Sequence, residues 1–396
     1  MDRAIHERIR MWRVYRGLTQ AQVAAAFRPS RSEVWVRKLE AGERQADPRI
    51  SVLEELARIL DVSLARLLSD DAPTGVQPAE SEDDPALLRA VLLAPHRPTA
   101  TVAEPTHILR QAAWGFDAFQ SGHYITLLRA MPGLVKSARA LPHTPEGDRA
   151  AYRVHHLAAT VLMKYGGGAA AWHAADRAID FARASGDPIA VALAGQITAY
   201  TLMSIGEPAT GLETVELLIE ELARPLSALD GDGYTALGML WLKGAVAAAE
   251  IGDARTAQAM LAHAATAAEH VPLGANRWRT GYDALNVRLH IASIEHQLGR
   301  YGDAARTAES IPSAVLASLP RERRAHHRIE YAQALVALNR TNDALSALLA
   351  AEADSPQEVH TRPTALALIT KLLAQHVGQP PSKLSDLAAR SGLARP

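Results

Sequence analysis

The chain has 396 residues, is 48% hydrophobic and carries a formal net charge of −1, values that suit a globular protein of two or three domains and exclude a disordered one. It contains no cysteine, so disulfides, thiolate zinc sites and a cysteine nucleophile are excluded. No uncharged apolar run reaches the ~18 residues of a membrane span, and the opening MDRAIHERIR lacks the apolar core of a signal peptide. The expectation is a cytoplasmic protein with no membrane contact. Its Arg bias and abundant Ala fit a high-GC bacterial genome.

The near-neutral total hides an asymmetry. Over residues 1–44, nine Arg and Lys38 face Asp2, Glu7, Glu33, Glu40 and Glu43 and leave a net +5, so the remainder carries −6. A basic end on a neutral protein is an electrostatic footprint for a polyanion, although a plain solvated surface looks the same on charge alone.

Residues 1–69 read as five short helices. Ile5–Arg16 is amphipathic, with Ile9, Trp12 and Val14 on its apolar side. Thr19 caps a second helix, Gln20–Phe27, and Arg28-Pro29-Ser30 makes a turn. Ser30 or Ser32 caps a third helix, which ends at Ala41-Gly42. Asp47-Pro48 starts a fourth, with Leu53, Leu56, Ile59 and Leu60 as its core face, and Ser63 caps a fifth. Residues 70–104 begin with the acidic DDAPTGVQPAESEDD, a linker composition, and hold at most one short helix.

From residue 105 to 396 the pattern is helical and repetitive. A helix breaker follows an apolar stretch at Gly122, Gly166, Gly206, Gly252, Gly299 and Asn339, with separations of 44, 40, 46, 47 and 40 residues. Short Ala-rich helices such as AAAWHAADRA and ARTAQAML follow most of these turns. Stacked helical hairpins produce that signature. The fold class expected is therefore all-α, a five-helix head followed by an α-solenoid.

Within the head, Leu18-Thr19-Gln20, Val23–Phe27, Val36-Arg37-Lys38-Leu39-Glu40, Gly42-Glu43-Arg44 and LEELARILDVSLARLL at 53–68 resemble the XRE, or phage-repressor-like, helix-turn-helix family. Counted from Phe27 to Glu40, this chain carries two residues more than the family pattern: either the turn is longer or the recognition helix starts earlier. The resemblance implies binding to double-stranded DNA as a homodimer, through a recognition helix in the major groove. On it, Gln20 is placed for a phosphate, while Arg31, Ser32, Glu33, Trp35 and Lys38 lie early or on one face of helix three. Arg and Lys suit guanine, Glu suits cytosine, and Trp can touch a thymine methyl. Arg37 and Arg44 suit phosphate. Trp35 has an equal rival reading as a core or dimer residue, and Glu33 a rival one as a helix-start carboxylate. The resemblance also implies that Arg13 and Glu40 pair inside the head.

The body resembles the tetratricopeptide-like sensor domains joined to XRE heads in actinobacterial regulators and, more distantly, the peptide-sensing RRNPP regulators. WGFDAFQSGHYITLL at 114–128, NVRLH at 286–290 and LPRERRAHH at 319–327 carry that resemblance. It implies dimerisation through the C-terminal helices and a signal peptide or small molecule bound on the concave face. Asn286 and His290 share a helix face, with Trp278, Arg279 and Tyr282 one or two turns before them. Gln196 with Tyr200, and Trp241 with Lys243, are further candidates. Each of these residues has a rival reading in which it satisfies neighbouring turns or faces water.

Enzyme readings fare poorly. His155-His156 and His326-His327 are adjacent and point about 100° apart on a helix, which suits one metal badly. Gly166-Gly167-Gly168 lacks the strand and the Lys-Ser/Thr of a phosphate loop. No catalytic residue, metal or cofactor is expected. Two rival functions stay open: a ligand-independent regulator controlled by a protein partner, and a protein-interaction scaffold.

Overall fold

The computed structural model describes residues 5–15, 18–43, 50–60, 67, 85–94, 104–375 and 380–393. Every regular element among them is helical, and no helix is long and apolar enough to cross a membrane. The chain divides into two compact units, one of residues 1–77 with 388–396 and one of residues 78–387.

The head contains α1 (Ile5–Tyr15), α2 (Gln20–Ala26), α3 (Glu33–Glu40) and α4 (Ile50–Ile59). Of the expected fifth helix, only Leu67 lies within the described residues. Ile9, Trp12, Val23, Phe27, Val36, Leu39, Leu56, Leu60 and Leu67 close one small core. Local chemistry sets the helix ends. Thr19 and Gln22 form a reciprocal capping box, with Gln22 N donating to Thr19 Oγ1 at 3.1 Å and Thr19 N to Gln22 Oε1 at 2.8 Å. Gly42 ends the third helix with φ +70°, and a Cβ there would meet the His6 ring at 3.2 Å.

The body opens with α5 (Ala86–Leu93), which follows the acidic linker composition within residues 70–104. Its Leu88, Val91 and Leu92 are buried in the core of the first hairpins. Six hairpins follow. They are α6 (Pro105–Gln120) with α7 (Tyr124–Arg139), α8 (Pro145–Lys164) with α9 (Gly168–Ser185), and α10 (Pro188–Ser204) with α11 (Pro208–Ser227). The next are α12 (Asp230–Glu250) with α13 (Ala254–Ala268), α14 (Ala284–Gln297) with α15 (Tyr301–Glu309), and, after a short α16 (Ser313–Leu316), α17 (Arg321–Ala337) with α18 (Thr341–Asp354). Two shorter helices, α19 (Pro356–Thr361) and α20 (Pro363–Gln375), come next, and α21 (Ser382–Arg390) ends the described chain.

The same turn joins the two helices of each hairpin. Gly122, Gly166, Gly206, Gly252, Gly299 and Asn339 all have φ between +59° and +88°. The amide three residues beyond the first helix reaches back to its last turn, as in Asp253 N to Ala248 O at 2.8 Å and Arg340 N to Leu335 O at 2.8 Å. This is the left-handed C-cap that Gly and Asn adopt most cheaply. The small residues of the second helices then allow close approach: Ala170, Ala171, Ala174, Ala175, Ala178 and Ala182 of α9 are all buried.

The body also closes on itself. Residues of its first hairpins meet residues some 150–230 positions later. Gln120 and Asn276 exchange side-chain hydrogen bonds at 3.1 and 2.9 Å. Arg279 makes a two-pronged pair with Asp117 at 2.5 and 3.1 Å, and Tyr124 Oη donates to Glu358 Oε2 at 2.5 Å. A solenoid that curls until its ends touch encloses its inner helix faces.

Candidate nucleic-acid interface and interior polar surface

In the head, Val36, Leu39 and Glu40 turn inward while Arg31, Ser32, Glu33, Val34, Arg37 and Lys38 are exposed. A long turn precedes the third helix. The third helix starts at Glu33, capped by Ser32, whose Oγ accepts from Trp35 N at 3.2 Å. Residues 27–32 form the loop. It is tied down by Arg31 N to Ala24 O at 2.9 Å, by Arg28 N to Glu55 Oε1 at 2.7 Å, and by Arg58 Nη2 to Ala26 O at 3.1 Å. Ser32→Ala therefore lowers head stability by about 1 kcal/mol, readable as a loss of helicity on heating; an unchanged melt would show that the cap contributes nothing.

Trp35 is half-buried, edge-on to Phe27 with ring centroids 5.2 Å apart, and Arg31 lies over its ring at 5.3 Å. Of its two sequence readings, the structure shows core packing. The apolar group on the exposed face is Val34, 48% exposed, which the sequence reading missed. With positions 36 and 39 in the core, helical spacing leaves 34 and 38 together on the opposite side, so the signal was there. Glu33 occupies the first helical position, where a carboxylate is favoured. Arg44 lies outside the described residues.

Arg13 and Glu40 do meet: Nε to Oε1 at 2.5 Å and Nη2 to Oε2 at 2.9 Å. Arg13 Nη1 also donates to Leu18 O at 2.8 Å. Gln20, expected at a phosphate, donates from Nε2 to Glu40 Oε2 at 2.8 Å. One of its two amide hydrogens thus serves the same internal knot, which fixes the start of α2 against α3.

The body's candidates separate into distinct places. Tyr282 is fully buried with its hydroxyl donated to Ala264 O at 2.5 Å. Its ring fills the space over Gly238, where a Cβ would lie 2.0 Å away. It is a core residue and lines no groove. Trp278 and Arg279 are not on a helical turn before Asn286; they sit in a loop with φ of +54° and +60°. Arg279 is committed to Asp117, and beside this loop opens a polar cleft of about 400 Å³. Trp241 stacks on His263 at 4.4 Å, turned about 200° around the helix from Lys243. Gln196 is buried.

The remaining candidates converge. Asn286 and His290, both buried, face Arg323, whose Nε donates to Asn286 Oδ1 at 2.9 Å and whose Nη2 lies 3.1 Å from His290 Nδ1. Burial, and then the charges of Arg323 and Lys243, push His290 well below its usual range, so it is neutral at pH 7. Lys243 Nζ sits 4.5 Å over the Tyr200 ring, and burial followed by Arg323 lowers its pKa to about 8. Deeper in the interior, Lys164 bonds Glu322, and bonds Glu358 at 2.9 Å. Arg362 also pairs with Glu358, at 2.8 Å. Glu322, His326 and Glu358 bring ligand-type atoms within 4.8 Å of one another, but the Lys164 ammonium already occupies the space between the two carboxylates.

Residues 7–68 match the family described as the helix-turn-helix domain. No curated protein matches the chain. Among solved structures, the chain is similar to that of Bacillus thuringiensis PlcR in complex with the peptide PapR7 and DNA, with 12% identity, a TM-score of 0.35, and coverage of 88% of this chain and 94% of that one. A likeness at that level specifies neither the arrangement of the helices nor a ligand.

Proposed function

We infer from the helix-turn-helix head that this chain is a DNA-binding transcription regulator, and we propose that it recognises a pseudopalindromic operator as an XRE-type homodimer. The observation that carries the proposal is the exposed face of Arg31, Ser32, Glu33, Val34, Arg37 and Lys38 on a helix whose opposite face is locked into the core. An exposed helix of this kind fits the major groove. One head reads half a site, so the two half-sites lie about one helical turn apart. Arg31 and Lys38 read base edges, Val34 meets a thymine methyl, and Arg37 grips phosphate. Gln20 uses its second amide hydrogen on the backbone of the DNA.

The body is proposed to dimerise and to sense a peptide or small molecule on its enclosed inner surface. Such a ligand acts only by binding two arrangements of the heads unequally. The polar groups gathered around Asn286, His290 and Arg323 support this over a passive scaffold.

Selection of bound DNA from a random pool, followed by gel-shift titration, tests the reading. A site with two related halves is expected. Lys38→Ala weakens binding to it by about 1–3 kcal/mol and relaxes the sequence preference. Arg37→Ala weakens all sequences alike and reduces the salt slope by about 1. No enriched site, or unchanged affinity in both variants, would reject the assignment.

A further inference from the structure

The interior carries more positive charge than its own carboxylates neutralise. Lys164 and Arg362 are matched by Glu322 and Glu358. Beyond them stand Lys243 and Arg323 against Glu330 alone. Glu330 is already engaged, accepting from Ser293 Oγ at 2.7 Å and lying 3.1 Å from His326 Nε2. Neither Lys243 nor Arg323 has a carboxylate within ion-pair distance among the described residues. Lys243 makes no hydrogen bond there at all; its ammonium only rests on the Tyr200 ring.

Arg323 is incompletely satisfied as well. Its Nε–Nη2 edge faces Asn286 and His290, but His290 Nδ1 also lies 2.9 Å from the Asn286 carbonyl. That ring nitrogen cannot donate to the carbonyl and accept from the guanidinium together. The Nη1 group has no partner among the described residues. Lys243, Tyr200 and Arg323 are nevertheless half-buried rather than sealed, so each keeps some contact with solvent. A cation held in such a place without a counter-charge disfavours the fold, and a bound anion removes that cost.

We propose that Lys243 and Arg323 form an oxyanion site on the inner surface of the body, taking a ligand that bears a carboxylate or a phosphate. Lys243 supplies a point charge, Arg323 a planar fork oriented by the Asn286 amide oxygen, and Tyr200 a wall against which the ligand lies. This deepens the sensor reading above and rests on it for its biological meaning.

Calorimetric titration of the full chain at constant ionic strength tests the site, with three probes: inorganic phosphate, N-acetyl-dialanine as its free acid, and the same dipeptide as its amide. At least one oxyanion binds saturably and the amide does not. Lys243→Met and Arg323→Gln each weaken that binding tenfold or more. Binding of phosphate alone identifies a phosphorylated ligand, and binding of the acid alone identifies a carboxylate. Lys243→Met also melts no lower than the parent, since it removes an uncompensated charge. The proposal falls if neither oxyanion binds saturably, if the variants bind as tightly as the parent, or if Lys243→Met melts markedly lower. Operator affinity with and without saturating oxyanion separates the two readings: binding with no change in operator affinity keeps the site and removes the sensor.

Discussion

Glu358→Gln is expected to destabilise the body by about 3–5 kcal/mol, the cost of leaving a buried cation without its partner. Glu358 is fully buried and its two oxygens take three bonds. Lys164 at 2.9 Å and Arg362 at 2.8 Å share Oε1, and Tyr124 donates to Oε2 at 2.5 Å. Burial opposes its charge, yet Arg362 and Lys164 hold its carboxyl far below the usual range. With the charge removed, Lys164 keeps Glu322 and Arg362 loses the carboxylate it pairs with. The damage is also topological, because Glu358 on α19 holds Tyr124 of α7 and Lys164 of α8, and so closes the ring. Thermal melts should drop by several degrees, and amide exchange should rise in both α7 and α19. A single variant within 1 kcal/mol of the parent, a limit set by ordinary surface substitutions, would refute the role of the pair.

These closing contacts are where the sequence was least informative. The six hairpin turns were legible because each needs a residue tolerant of positive φ, and only Gly and Asn supply it at low cost. Core faces of α1 and α4 were legible from helical periodicity alone. The Arg13–Glu40 pair came from resemblance, as no local rule links residues 27 positions apart. Tyr124 and Glu358 lie 234 positions apart, and nothing in either segment's pattern marks the other. The misplaced site residues fail for a related reason. Tyr282 looks like a groove aromatic, set among polar neighbours, and only the gap opposite it at Gly238 makes it core. Trp35 reads equally as a base-contacting group or a core residue, and only Phe27, across the long turn, shows where its ring packs. Lys243 was paired with Trp241 by adjacency in the chain, but positions two apart face different ways on a helix, and Tyr200 two helices earlier is its true neighbour.

Mild acid should unfold the body between pH 6.5 and about 4. His155, His156 and His327 are 1%, 8% and 3% exposed. Burial pushes them down to about 4, about 3 and about 4 respectively. Arg153 beside His156 adds to its shift, and neither His156 Nδ1 nor His327 Nδ1 has a partner to stabilise a proton. In the unfolded chain each titrates near 6.5. The folded values are the lower ones, so the unfolded state binds more protons as the pH falls, and stability present above 6.5 is lost on the way down to 4. At roughly 1.4 kcal/mol per unit, three such groups together remove several kcal/mol, comparable with the ~5–15 kcal/mol of a typical domain. Glu358 and Glu330 do not compete in this window, because both are held well below the ordinary carboxylate range and protonate only in stronger acid. Circular dichroism against pH should therefore show one cooperative loss of helix with its midpoint above pH 4. His156→Phe, set between Phe116 and Tyr152 whose rings lie 5.4 and 5.8 Å from His156, moves that midpoint to lower pH because one proton-linked group is gone. A body that keeps its helicity to pH 3.5, or a midpoint untouched by His156→Phe, would mean that these histidines reach water before they protonate.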